Sequence, residues 1–314
     1  MLNTLEYSDL TLGTAQLGMN YGIGNTTGKP NFTEAVAIIQ QAIACGINSI
    51  DTARAYGNSE AIIGQALTGG FAEQIQVITK LDPLNNLKST SHSENNIGLA
   101  VEQSILKSCE YLCTNSLQTL LLHKWEHRFA YQESIWHKLL ELKDRGYIQK
   151  IGVSVYTPQE AIEALNESEI EHIQLPFNLL DWRWKASGIH NLISTKKHII
   201  IHARSSLLQG LLVTDLSTYK NVNDNQIYFF ISKIEELVKE LGRENKADLC
   251  FAYVRSQSWI NSVVVGLETR LQLEKNIKLF QRPLLTNEEC KKIELELSSA
   301  TEELLNPIKW KINH

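Results

Sequence analysis

The sequence predicts an α/β fold, a single (β/α)8 TIM barrel with its active site at the C-terminal ends of the strands. Three observations carry the prediction. Apolar strand-like runs alternate with helical periods along the chain, the pattern of a parallel sheet. Three of those runs close on a titratable residue, namely Asp51, Lys80 and His123, and the strand ends of a barrel open on one face. No Pro/Gly/Ser-rich linker divides the 314 residues, a length that a single barrel reaches. Residues 1–314 are therefore expected to form one domain, with a C-terminal tail of about 284–314 on or near the substrate pocket.

The elements follow in order. Leu10 to Thr14 is the first strand, and Thr33 caps a helix with apolar residues at Val36, Ile39 and Ile43, stopped by Gly46. Ile47–Asp51 is the second strand, with a helix after Asn58; Ile75–Lys80 is the third, with a long helix over roughly Asn95–Leu112. Leu117–His123 is the fourth, and its helix repeats Ile135, Leu139 and Leu142 until Gly146. Ile148–Val155 is the fifth, after which Pro158 opens a helix as a first-turn residue. His172–Pro176, His198–Ala203 and Ser262–Val265 complete eight. A doubly wound sheet would carry a glycine-rich phosphate turn after its first strand. Gly22-Ile23-Gly24-Asn25-Thr26-Thr27-Gly28 misses the G-x-G-x-x-G spacing by one residue, and no P-loop occurs, so the barrel is preferred.

Composition narrows the function. A net charge of −5 and a pI near 6.0 leave no basic footprint for nucleic acid or an anionic membrane. The N-terminus lacks a basic stretch followed by an apolar one, and no apolar run reaches membrane-spanning length. A cytoplasmic protein is expected, a monomer or small homo-oligomer. Its five cysteines are odd in number and lack C-x-x-C spacing. Cys109 and Cys113 stand one helical turn apart without a second pair or nearby His, which reads as reduced thiols and no metal. His123 and His127 share that spacing, but one ends a strand and the other lies in the loop beyond.

Singly, a strand-end Asp reads as a helix cap, a Tyr as packing, a Lys as solvated and a His after three leucines as core. Together Asp51, Tyr56, Lys80 and His123 make a proton-donating site built around a phenol. The block Asp51-Thr52-Ala53-Arg54-Ala55-Tyr56-Gly57-Asn58-Ser59-Glu60 fits DTAxxYGxSE at every fixed position, and the chain resembles the aldo-keto reductase superfamily, whose tetrad is Asp, Tyr, Lys and His. The resemblance spans nearly the whole chain. It implies a cofactor site of Gly13 and Thr14 after the first strand, with Ser154 and Gln174 at the nicotinamide carboxamide. Ser205, Leu207, Gln209 and Gly210 would form the pyrophosphate loop, and Gly266, Glu268, Arg270, Gln272 and Asn276 the segment around the adenosine ribose. Two positions depart from the family: Val155 where Asn is usual, and Arg204 where an aromatic ring supports the nicotinamide. Arg204 either keeps the stacking role, and then biases the site toward the reduced cofactor, or pairs with a carboxylate or phosphate on the substrate or cofactor, or turns away to pair with an acid of the chain. The segments around Asn20–Pro30 and Arg204–Leu211 resemble a bacterial subgroup linked to surface-sugar biosynthesis.

The implied reaction is NAD(P)H-dependent reduction of an aldehyde or ketone, a sugar or sugar derivative among the candidates. The cofactor carries the hydride, and Tyr56 protonates the oxygen as general acid. A free phenol, with a pKa of roughly 10, is a poor donor near neutrality, so Lys80 is expected to lower that value and Asp51 to hold Lys80 charged. His123 is expected to orient the carbonyl oxygen. The resemblance favours NADP(H) slightly, through Arg270, whereas Glu268 leaves NAD(H) open. Trp125, Trp182, Trp184 and Trp310 are candidate pocket walls. Two other readings exist: a barrel lyase using Lys80 as a Schiff-base amine, disfavoured by the adjoining Asp51, and a cofactor-binding regulatory protein on the same fold.

Overall fold

Eight parallel strands pair in sequence order and close on themselves: β1 (Leu10–Gly13), β2 (Ser49–Asp51), β3 (Gln76–Lys80), β4 (Leu117–Leu122), β5 (Ile148–Ser154), β6 (Ile170–Pro176), β7 (Ile200–Arg204) and β8 (Ser262–Gly266). Closure comes from β8 against β1, in register from Leu10↔Val263 to Gly13↔Gly266. This is the TIM-barrel arrangement, seen in a computed structural model that describes residues 6–25, 27–84, 94–215, 225–306 and 310.

The outer layer holds α1 (Ala15–Gly18), α2 (Phe32–Ala44), α3 (Ser59–Leu67), α4 (Glu94–Leu112), α5 (Ser134–Asp144), α6 (Pro158–Leu165), α7 (Arg183–Ala186), α8 (Ile189–Thr195), α9 (Asn225–Glu240), α10 (Lys246–Arg255), α11 (Arg270–Phe280), α12 (Asn287–Leu297) and α13 (Glu302–Leu305). Their apolar stripes supply the core between strands and helices, including Ile38 and Ile39 of α2, Ile62 and Ile63 of α3, and Leu139 and Leu142 of α5. Pro158 begins α6 as expected, behind a capping box of Thr157 and Glu160. The cap of α2 is corrected. Asn31, not Thr33, accepts the Glu34 N–H, because its amide oxygen reaches the third helical residue while Thr33 already lies in the first turn. Among the described residues, no helix is long and apolar enough to cross a membrane.

The inside of the barrel is more polar than an aliphatic core. Thr11 Oγ1 lies 2.7 Å from both Ser49 Oγ and Ser262 Oγ, joining three strands. Towards the strands' N-terminal ends, His172 and His202 meet edge-on with ring centroids 4.3 Å apart. Tyr7, just before β1, meets His202 at 4.7 Å and His172 at 6.1 Å. Both histidines are fully buried, and no ring nitrogen of either has a hydrogen-bonding partner among the described residues.

The described part of the C-terminal segment packs against helices. Lys292 of α12 pairs with Glu240 of α9, and Glu294 accepts from Tyr253 of α10 and pairs with Lys185. Residues 307–309 and 311–314 of the expected tail lie outside the described residues.

Burial holds both histidines neutral, lowering His202 to about 3 and His172 well below its ordinary value, and the two rings disfavour each other's protonation. In the unfolded chain they take up protons below about pH 6.5, which the native state does not. Their contribution is therefore harmless above that pH and becomes destabilising as pH falls. Denaturant unfolding should show stability declining from pH 6.5 to 5, where carboxylates are still ionised, by up to about 1.4 kcal/mol per pH unit for each histidine. A His172→Leu/His202→Leu variant should have a flatter profile in that window.

Candidate active site

The C-terminal ends of the strands surround a cavity of about 690 Å³. Strand register places the contributors side by side: Gly13 opposite Asp51 and Gly266, Lys80 opposite Leu121, Ser154 opposite Gln174, and Pro176 opposite Arg204. Asp51, Tyr56, Lys80 and His123 all line it.

At its base Lys80 Nζ donates to Asp51 Oδ1 at 2.7 Å and to the Thr52 carbonyl at 2.9 Å, with 1% of its side chain exposed. Gln174 Nε2 donates to the same Asp51 oxygen at 2.7 Å. Burial pulls the Lys80 ammonium below its ordinary range, and Asp51 opposes that pull. The Tyr56 ring centroid is 5.1 Å from Lys80 Nζ, and the His123 ring stands edge-on to it at 6.3 Å.

The remaining residues of the ten-residue block hold the Tyr56 loop. Glu60, 1% exposed, accepts from Thr79 Oγ1 at 2.7 Å and from Arg54 Nη1 at 2.9 Å, tying α3 to β3. Ser59 Oγ accepts from Thr52 Oγ1 at 2.9 Å and donates to Thr14 Oγ1 at 2.7 Å, while Thr14 N donates to Asp51 O at 3.0 Å. Gly57 has φ +59, and a Cβ there would lie 2.3 Å from the Gly18 carbonyl oxygen. A Cβ on Gly18 would lie 2.0 Å from the Tyr56 carbonyl oxygen, so this joint admits no side chain on either residue.

The protonation of the phenol differs from expectation. Burial pushes Tyr56 above its ordinary value, the Asp51 charge adds to that, and Arg204 opposes it. The lowering expected for the phenol is therefore corrected: burial and the Asp51 charge prevail. Burial lowers His123 to about 3, with Lys80, His127 and Arg204 contributing. Tyr56 thus stands protonated and His123 neutral near pH 7.

Away from the tetrad, Gly13, Thr14, Ser154, Gln174, Arg204, Ser205, Leu207, Gln209, Gly210, Gly266, Glu268 and Gln272 line the cavity. The turn after β7 is left-handed at Ser205 (φ 62), Leu208 (φ 48), Gln209 (φ 55) and Gly210 (φ 92). Successive amides in such a turn form an anion-binding concavity, and non-glycine residues held there store strain of the kind found at ligand sites. Gly24 N donates to Gln209 O at 3.3 Å, laying the segment after α1 across this turn. A nicotinamide dinucleotide fits the lining: Gln174 Oε1 is buried without a hydrogen-bonding partner, an acceptor suited to a carboxamide N–H.

Some expected contributors stand elsewhere. Arg270, exposed on α11, grips Glu34 of α2 through Nε and Nη2 at 3.0 and 3.1 Å. Asn276, two turns into α11, is not part of the lining. The tryptophans are corrected as pocket walls. Trp184 is fully buried with its N–H on Asp181, Trp125 donates to Glu163, Trp182 to the Ala300 carbonyl, and Trp310 to the Glu303 and Leu304 carbonyls. Each indole N–H needs a polar partner, and these partners lie away from the cavity. The described part of the tail likewise adds no lining residue. Arg204 does line the cavity, its guanidinium 4.6 Å over the Tyr156 ring and its Nη2 3.2 Å from Val155 O. Sequence reasoning missed Gln16, Tyr21 and Tyr156. Tyr156 lies two residues beyond the end of β5 and was open to discovery by the strand-end argument.

The profile of the aldo/keto reductase family matches residues 9–295. The chain belongs to that family, and it is an NAD(P)H-dependent oxidoreductase. It is 26% identical over 296 residues to the uncharacterized oxidoreductase YqkF of Bacillus subtilis (strain 168), covering 90% of this chain and 94% of that protein. It is 25% identical over 303 residues to the NADH-specific methylglyoxal reductase of Escherichia coli (strain K12), covering 87% and 91%. The holo form of aldo-keto reductase AKR11C1 from Bacillus halodurans superposes with a TM-score of 0.76 over 97% of both chains, at 23% identity.

Removing the Lys80 charge leaves Asp51 buried with only an amide for company. Lys80→Met should cost about 3–5 kcal/mol in denaturant unfolding, and adding Asp51→Asn should recover most of it.

Proposed function

We propose that the protein reduces an aldehyde or ketone to an alcohol, with Tyr56 as general acid. The observation that carries this reading is the convergence of a protonated phenol, a neutral imidazole and a buried Lys–Asp pair on one wall of the cavity. When bound, the nicotinamide supplies the hydride, and the chain's residues manage the proton and the charge. Ser154 and Gln174 would hold the carboxamide. His123, carrying one N–H, donates to the carbonyl oxygen, and Tyr56 gives it the proton. A raised phenol value is compatible with this role, since an alkoxide is a stronger base than a phenolate. The Lys80 ammonium, fixed by Asp51, steadies the phenolate left behind. This intact set disfavours a purely regulatory role, and the Lys80–Asp51 contact disfavours a Schiff base, which needs a free amine.

For the cofactor we favour NADH, reversing the slight preference for NADPH drawn from Arg270. Arg270 is engaged by Glu34 on the outer surface, and the acid facing the adenosine end is Glu268, 8% exposed, whose carboxyl burial pushes upward. An acid there accepts from a ribose hydroxyl and repels a 2′-phosphate. The NADH-specific Escherichia coli relative supports the same choice, and its methylglyoxal substrate supports a small oxygenated carbonyl, a sugar or sugar derivative included. Five cysteines without disulfides, two of them exposed, support a reducing compartment such as the cytoplasm. The barrel, with its terminal helices packed on α9 and α10, is read as one domain.

Two experiments test these readings. Tyr56→Phe should lower kcat on a reactive aldehyde on the order of a hundredfold or more while leaving reduced-cofactor binding nearly intact; more than half of wild-type turnover overturns the mechanism. Fluorescence titration should give a Kd for NADH about tenfold or more below that for NADPH, and Glu268→Gln should narrow the gap. Tighter NADPH binding overturns the assignment.

A further inference from the structure

The chain has nine arginines. Eight of them meet a carboxylate within ion-pair distance. Arg204 has no acidic partner among the described residues, although it is half-buried and lines the cavity. Its guanidinium is held in place instead: Cζ lies over the Tyr156 ring 4.6 Å from its centroid, and Nη2 donates to Val155 O at 3.2 Å. Of the acids that line the same cavity, Asp51 is engaged by Lys80, Glu268 lies beyond β8 and Asp215 follows the turn after β7; none of them stands within ion-pair distance of Arg204. A fixed cation facing a cavity that will be filled by ligand loses its water on filling, which is costly without an anion.

We propose that Arg204 anchors an anionic group, a carboxylate or phosphate, carried by the carbonyl substrate, so that the protein selects acidic over neutral carbonyl compounds. This deepens the reductase reading and rests on it. Two features argue for the substrate rather than the cofactor pyrophosphate as the source of the anion. The concave turn of Ser205–Gly210 already presents backbone amides to a pyrophosphate. Arg204 instead ends β7, at the mouth of the barrel, and lines the same cavity as Tyr56, Lys80 and His123, whose protonation, after burial, its charge influences. Nη2 is spent on Val155 O and Nη1 makes one long contact, 3.5 Å, with Ser205 Oγ; the remaining N–H groups are matched to a carboxylate. Tyr156, beneath the guanidinium carbon, serves as a positioning residue.

The matched pair 4-carboxybenzaldehyde and its methyl ester differs in charge with little change at the aldehyde. Wild-type protein should favour the carboxylate in kcat/KM by about tenfold to a hundredfold, the range of a hydrogen bond to a charged group. Arg204→Met should erase that ratio and Arg204→Lys should keep part of it. Glyceraldehyde 3-phosphate against glyceraldehyde reads the phosphate arm in the same way. Equal kcat/KM values within both wild-type pairs overturn the proposal. So does an Arg204→Met variant that keeps the ratio but loses tenfold in reduced-cofactor affinity, which would assign the guanidinium to the dinucleotide. Binding separates this proposal from the reaction itself. Cofactor-loaded protein titrated with 4-carboxybenzyl alcohol and with benzyl alcohol should show the same preference even without turnover. Its absence overturns the anchor, whereas preference without turnover leaves the anchor standing and counts against Tyr56.

Discussion

The contact between Lys80 and Asp51 is the constraint on which the site is built. It joins the ends of β2 and β3, and because Lys80 Nζ also reaches the Thr52 carbonyl, it fixes the first residue of the loop that carries Tyr56. Gln174 approaches the same carboxylate from β6, on the other side of the barrel. One buried anion thus organises three strands. Its cost is desolvation, met by two short donors on a single oxygen, and its result is a phenol held above a compensated charge. Tyr56 rests protonated because burial and the nearby Asp51 charge both disfavour its phenolate.

The barrel was legible because each strand is a short apolar run bounded by turn residues, and the tetrad because its members stand at or just past strand ends. Ile47–Asp51 and Ile75–Lys80 announce both the element and the residue at its end. What escaped depends on side chains distant in sequence. Nothing local to Arg270 reveals that Glu34, 236 positions away, takes its guanidinium. Nor does an isolated tryptophan disclose whether its N–H will find Asp181, as Trp184 does, or face a ligand. The start of α2 was misplaced because Asn31 and Thr33 are both good caps, and only backbone geometry decides between them.

The polar interior was also hidden. His172 and His202 are read from sequence as members of apolar strand runs, yet they lie fully buried side by side with Tyr7 against their rings. Alternation along the strands decides this: residues facing the barrel axis need only fit one another, and those facing the helices carry the aliphatic core.

The joint between Gly18 and Gly57 sets the limit on how this enzyme can change. Backbone there meets backbone, so neither position offers a larger residue room to rearrange. A lineage or a mutant library exploring new substrates would therefore find its freedom around the rim, at positions such as Tyr21, Tyr156 and Arg204, and almost none beneath Tyr56. The acid is inherited with the fold, whereas what it acts on can be rewritten one side chain at a time.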